Sequence, residues 1–163
     1  MELLEVKGLG KVYKTRFGGN SVTALSDVNF TAREGEFVAI MGESGSGKTT
    51  LLNILAALDR PTTGTVLLDG KDFTKIKESA VAEFRRDKLG FVFQEFNLLD
   101  TFTLEDNIFL PLVLAGKFQK FMEEAIRPIA EELGIYDLLQ KYPYEVSGGQ
   151  LRFSPWYIWR YTV

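Results

Sequence analysis

The sequence has no cysteine and no histidine. Without thiols there is neither a disulfide framework nor a thiolate metal site. Positive charge is also scarce. Nineteen Lys and Arg stand against 22 Asp and Glu, a net charge of −3, so the chain carries no basic footprint and nucleic acid is not an expected partner. Long apolar runs are missing too. The longest, Ile108-Phe109-Leu110-Pro111-Leu112-Val113-Leu114-Ala115-Gly116, is too short to span a bilayer and holds a proline. The start, Met1-Glu2-Leu3-Leu4-Glu5, lacks the basic region and apolar core of a signal peptide. What is present is ordinary for a cytosolic protein: 163 residues, 45% apolar and 25% charged, enough for one domain with its own core.

One stretch organises the rest. Gly42-Glu43-Ser44-Gly45-Ser46-Gly47-Lys48-Thr49 fits G-x-x-x-x-G-K-[ST] at every specified position. Glycines let the backbone curl so that its N–H groups form a nest for anionic oxygens. The following helix adds the positive end of its dipole. Lys48 brings a point charge for terminal phosphates. The Thr49 hydroxyl suits a magnesium ion, which takes most of its shell from phosphates and water. Phe37-Val38-Ala39-Ile40-Met41 reads as a buried strand entering the loop. Leu51, Leu52, Ile54, Leu55 and Leu58 recur at helical spacing beyond it.

Upstream, Leu3 to Tyr13 and Val22 to Phe30 read as strands, separated by a turn at Gly18-Gly19-Asn20-Ser21. Arg33-Glu34-Gly35-Glu36 is a turn before the loop strand. Tyr13 could stack on a base, although on local sequence alone an ordinary strand aromatic is the favoured reading. Thr65 to Asp69 is an apolar run ending in aspartate, but Asp69-Gly70-Lys71-Asp72 makes it a hairpin instead of a metal-binding strand. Ser79 to Lys88 is helical, with Val81, Phe84 and the Lys88 stem on one side. Leu89-Gly90-Phe91-Val92-Phe93 is a short buried strand ending at Gln94, at the edge where α/β proteins bind ligands. Leu104 to Ala115 is a helix that Pro111 kinks or shortens. Phe118, Phe121, Met122, Ala125, Ile126, Ile129, Ala130 and Leu133 form a core stripe at helical spacing, with Pro128 implying a kink or a fresh start. Ser147-Gly148-Gly149 is a second compact oxyanion receptor if a helix begins there. Residues 151–163 hold Phe153, Trp156, Tyr157, Trp159 and Tyr161, and have no defensible period.

Taken together, residues 2 to about 150 resemble the ATP-binding subunits of ABC transporters. Gly42 to Thr49 matches the Walker A loop, Gln94 the Q-loop, and Ser147-Gly148-Gly149-Gln150 the signature motif. Tyr13 falls where the family keeps its adenine-stacking aromatic. The resemblance implies an α/β fold, a P-loop NTPase core with an N-terminal antiparallel β segment and a helical subdomain. It also implies ATP and Mg2+ as cofactors. Nucleotide contacts fall on Tyr13, Gly42, Ser44, Gly45, Ser46, Gly47, Lys48, Thr49, Thr50, Gln94, Ser147, Gly148, Gly149 and Gln150. Metal contacts fall on Thr49 and Gln94. Partners are a second ATP-binding subunit, paired head to tail, and a membrane permease that holds this otherwise cytoplasmic subunit at the inner face. Ala56 to Gly64 and Asn97 to Ile108 are similar to the macrolide, lipoprotein-release and bacitracin exporters. Phe109 to Gly116 leans toward the bacitracin or antimicrobial-peptide branch.

The chain departs from that family after the signature. The Walker B strand with its aspartate and glutamate, the D-loop and the switch histidine have no counterpart, so no catalytic residue is assigned and hydrolysis is expected to fail. The expected organisation is an incomplete ATP-binding domain over 1–150 and an aromatic, out-of-frame tail over 151–163. Without the later strands, Phe37 to Met41 is expected to show unpaired edge groups and an uncovered apolar face. A fragment that binds nucleotide or permease without chemistry remains an alternative. Another P-loop enzyme, such as a small-molecule kinase, would not explain Ser147 to Gln150.

Overall fold

In the computed structural model, which describes residues 2–14, 19–91 and 97–148, β1 (Glu2–Lys14) and β2 (Ser21–Arg33) form a long antiparallel ladder. β3 (Thr63–Leu68) pairs with the other edge of β1, and β4 (Lys71–Asp72) closes the sheet in the order β2-β1-β3-β4. The expected hairpin is present. Asp69 and Gly70 have φ of 50° and 71°, the two positive values of a type I′ turn, whose twist matches that of the flanking strands.

The register jumps between Val6 and Leu9. A jump of this kind re-phases the alternation of side chains, so Val6 and Leu9, three apart, both enter the core with Leu25, Leu51, Ile54, Val66 and Phe73. The Phe84 ring from α2 (Glu78–Lys88) stacks on Phe73 with centroids 5.1 Å apart. Val81 and Phe84 are half-buried, whereas Lys88 faces water.

α1 (Lys48–Leu55) packs Leu51 and Ile54 inward. Leu52 and Leu58 are exposed, so the apolar set is wider than the buried stripe. The helix stops in a Schellman motif. Leu58 N–H donates to the Asn53 carbonyl at 2.8 Å and Ala57 N–H to Ile54 at 3.0 Å. Two other helices end the same way, with Gly116 and Gly134 at the left-handed position, but here that position is Ala57, at φ 52°. An L-residue pays about 1–2 kcal/mol for that conformation. Ala57→Gly is therefore expected to stabilise the protein by about 1 kcal/mol, offset in part by glycine's greater freedom when unfolded. Chemical denaturation reads the shift, and a lower midpoint would contradict the assignment.

Phe37 to Met41 is not a strand, contrary to the sequence expectation. Among the described residues it has no ladder partner. Phe37 is 93% and Met41 88% exposed, and only Ile40 leans on the core. An isolated strand has no hydrogen bonds of its own, so apolar character alone does not make one. The stretch is thus unpaired and largely uncovered among the described residues. Leu89 to Phe91 likewise form no strand, and Val92 and Phe93 lie outside the described residues.

The chain divides into Met1–Arg85 and Arg86–Val163. The second unit is helical where described. α3 (Leu104–Leu114) opens with a capping box. Thr103 Oγ1 accepts from Asp106 N–H at 3.1 Å, and Asp106 Oδ2 accepts from Thr103 N–H at 3.1 Å. Two more of its free donors are met across the fold: Leu104 and Glu105 N–H donate to the carbonyls of Lys141 and Leu139 at 2.8 and 2.9 Å. α4 (Gln119–Glu132) contributes Ile126, Ile129 and Ala130 to a core with Ile108, Ile135 and Leu139.

Neither Pro111 nor Pro128 ends its helix. Both rings sit on the solvent side, where water can satisfy the carbonyl that loses its N–H. Phe118 and Phe121 are exposed and fall outside the core stripe: Phe118 is the N-cap, before α4 begins, and Phe121 lies in its first turn. The tail assignment for 151–163 lies outside the described residues.

Candidate nucleotide-binding site

The loop from Gly42 to Lys48 is shaped by contacts that exclude side chains. Gly47 has φ 89° and ψ 4° and serves as the N-cap of α1. A Cβ there would run into the Ala24 carbonyl and approach Leu25 Cδ2 to 2.9 Å. A Cβ on Gly42 would come within 2.7 Å of Ser46 Oγ. Gly45, at φ 82°, faces open space, so it is needed for its conformation alone. Ser46 N–H donates to the Glu43 carbonyl at 3.2 Å, and Leu51 N–H to Gly47 at 2.8 Å, closing the loop onto the first turn of the helix.

The Lys48 ammonium folds back over this loop. It donates to the Gly42 and Glu43 carbonyls at 2.8 and 2.6 Å and to Ser46 Oγ at 3.3 Å. An anion placed there meets the ammonium, the N-terminal N–H groups of α1 and small hydroxyls together. Ser44, Ser46 and Thr49 are exposed, and Thr50 is half-buried. These residues fit a polyphosphate: a Cβ at Gly42 or Gly47 would collide, and the loop carries an ammonium, small hydroxyls and the start of a helix. For magnesium, the Thr49 hydroxyl is a suitable oxygen ligand. Among the described residues no cluster of three carboxylates or other metal-binding side chains stands by to complete a shell.

The loop is anchored to the sheet. The Ala24 carbonyl lies in the register jump between the pairs Lys11–Leu25 and Val12–Thr23, and Tyr13 opposite Val22 is one pair further on. Tyr13 is 42% exposed. Its phenol donates to Asp59 Oδ2 at 2.8 Å, and the Lys11 ammonium lies 4.8 Å from its ring centre. Lys11 also donates to Asp59 Oδ1 at 2.5 Å and to the Arg60 carbonyl at 2.6 Å. Burial pushes the Asp59 carboxyl up, but the hydrogen bonds from Lys11, Tyr13 and Arg60 N–H outweigh it and hold the group below its ordinary value.

The predicted contacts of the first unit are thus joined on one loop, one helix start and one strand. Ser147 and Gly148 belong to the second unit and are exposed. Gln94, Gly149 and Gln150 lie outside the described residues. Lys11 and Asp59 were not anticipated. Lys11, two residues from Tyr13, shares its face of β1, a signal that was available. Asp59 gives none, because it reaches Tyr13 through the fold.

Three comparisons bear on this site. The family model for "ABC transporter" matches residues 25–154. Among curated relatives, the ABC transporter ATP-binding protein YxdL of Bacillus subtilis is 52% identical over 148 residues, covering 91% of this chain and 56% of the relative. The bacitracin export ATP-binding protein BceA of Halalkalibacterium halodurans is 45% identical over 150 residues, covering 92% and 58%. The chain therefore spans little more than half the length of these relatives. A dimeric ABC transporter cassette, MJ0796, superposes with a TM-score of 0.81 at 35% identity, over 93% of this chain and 67% of that one. The same cassette in a post-hydrolysis state bound to ADP and Pi gives 0.81 at 36% identity, over 96% and 68%.

Proposed function

The chain belongs to the ABC transporter family as an ATP-binding domain with exporter-type relatives, and from that premise we propose that its loop Gly42–Thr49 binds the phosphates of ATP on behalf of a membrane permease. The observation that carries the reading is the Gly47 contact. It locks the loop against the Ala24 carbonyl and aims the start of α1, with Lys48, into one cradle.

In this reading the backbone N–H groups and Lys48 hold the terminal phosphates, and Thr49 presents its hydroxyl to a phosphate-bound magnesium ion. Bound magnesium would neutralise charge on the phosphates. Thr50, Ser44 and Ser46 line the same loop, and Tyr13 offers a ring face to the base. Ser147 to Gln150 serve the nucleotide of a second subunit in a head-to-tail pair, and Gln94 serves the metal and the coupling to the permease. The dimeric cassette supports the pairing. The bacitracin export relative supports an antimicrobial-peptide branch. No helix among the described residues is long and apolar enough to cross a membrane. In this reading the permease holds the subunit at the inner face.

These 163 residues include no histidine, and no glutamate in them is assigned to orient water. By themselves they are expected to bind ATP without turnover above background. Calorimetric titration with Mg-ATP, paired with a phosphate-release assay, tests both halves. Absence of any heat of binding would remove the nucleotide reading. Phosphate release that survives contaminant controls and vanishes in Lys48→Ala would remove the inactivity.

A further inference from the structure

The side chains around Tyr13 form a closed arrangement that phosphate binding does not require. The phenol end is held by Asp59 at 2.8 Å. One ring face is taken by the Lys11 ammonium, 4.8 Å from the centre. Asp59 holds Lys11 in turn at 2.5 Å, and the Arg60 carbonyl gives the ammonium a second fixed acceptor at 2.6 Å. The Lys11 side chain is only 12% exposed, deep for a lysine.

Three physical consequences follow. A strand tyrosine at a surface would lose side-chain freedom when a ligand stacks on it, at a cost of about 0.5–1.5 kcal/mol. Here one hydrogen bond, to Asp59, and one cation–π contact, with Lys11, already hold it. With Lys11 over one face, the opposite face of this part-exposed ring is the one left for a planar group. The ammonium also draws π density toward itself, leaving the open face less negative. That relieves the repulsion between two stacked electron-rich rings and suits a purine.

Resting on the nucleotide reading above, we propose that Lys11 and Asp59 are positioning residues that fix Tyr13 and so set how much of the affinity comes from the base instead of the phosphates. The pair spans the sheet and the segment after α1: Asp59 N–H donates to the Asn53 carbonyl at 3.2 Å. The base contact is therefore tied to the same helix whose first turn forms the phosphate cradle. Neither residue need touch the nucleotide.

The experiment uses the 163-residue chain and two probes, Mg-ATP and Mg-tripolyphosphate, titrated by calorimetry. The unmodified chain is expected to bind ATP more tightly than tripolyphosphate. Asp59→Ala is expected to weaken ATP binding about 3- to 10-fold, the value of one net hydrogen bond, and to leave tripolyphosphate within about twofold. Tyr13→Phe removes the same bond from the other end. Combining it with Asp59→Ala is expected to cost less than the sum of the two. Asp59→Asn, which keeps an acceptor oxygen, is expected to recover part of the loss. Equal weakening of both probes in Asp59→Ala would make the role merely structural and overturn the proposal. Equal affinity of the unmodified chain for the two probes would overturn it while leaving the phosphate cradle standing. Binding of neither probe would remove the nucleotide reading and this inference together. Tyr13→Phe alters one oxygen on a part-exposed ring, so its ATP-against-tripolyphosphate ratio decides the matter even if Asp59→Ala does not fold.

Discussion

Lys48→Ala is expected to weaken ATP binding by about 10- to 100-fold, the value of a hydrogen-bonded charge worth about 1.5–3 kcal/mol. The ammonium has three contacts in the loop, to Gly42, Glu43 and Ser46. All are acceptors that water can also serve, so the substitution is expected to move stability by no more than about 0.5 kcal/mol. That separation is the useful part. Calorimetry and chemical denaturation on the same sample should show a large loss of affinity at an almost unchanged midpoint. Unchanged ATP affinity would mean that the loop does not bind phosphate through Lys48. Loss of fold along with affinity would mean that the ammonium is structural.

Gly47→Ala is expected to be worse for the protein, and for a reason that a neighbouring glycine controls. Gly45 and Gly47 have nearly the same φ, 82° and 89°, so an alanine at either position pays about 1–2 kcal/mol for the left-handed conformation. Only at Gly47 does the new methyl meet protein, the Ala24 carbonyl and Leu25 Cδ2. To make room, α1 must back away from β2, disturbing Leu51 and Ile54 in the core. Gly45→Ala is therefore expected to cost about 1–2 kcal/mol of stability. Gly47→Ala is expected to cost about 3–4 kcal/mol and to reduce ATP affinity at least tenfold, because the helix start is displaced. Equal midpoints for the two variants would show that the contact with Ala24 does not hold the loop.

Much of this was legible in the sequence because the signals were local. Glycine spacing and the Lys-Thr pair placed the cradle. Asp69-Gly70 placed a hairpin turn that needs no help from the rest of the chain. Alternation in Leu3 to Tyr13 found β1, although only the register jump explains how both Val6 and Leu9 reach the core. What misled was whatever depends on a neighbour. Phe37 to Met41 has the composition of a buried strand, but burial is a relation, and no partner stands beside it among the described residues. Phe118 and Phe121 keep helical spacing yet stay exposed, Phe121 under the Lys117 ammonium instead of in the core. Pro111 and Pro128 suggested breaks, yet a helix tolerates proline where water can reach the freed carbonyl. The Asp59 link to Tyr13 crosses 46 residues, and no window along the chain reveals it.

The unpaired Phe37–Met41 segment also bears on how tightly the cradle can grip. Among the described residues the two ends of the loop are fastened unequally. Its C-terminal arm is pinned by Gly47 against Ala24, while its N-terminal arm leads into five residues without cross-strand hydrogen bonds among the described residues. Holding backbone in a single conformation costs about 1–2 kcal/mol per residue in lost entropy. A nucleotide that needs those residues still must meet that cost out of its own binding energy. A strand laid alongside Phe37–Met41 by any neighbouring chain would settle it in advance. Such a neighbour would raise nucleotide affinity without touching the nucleotide, and by thermodynamic reciprocity the nucleotide would tighten the grip on that neighbour by the same factor.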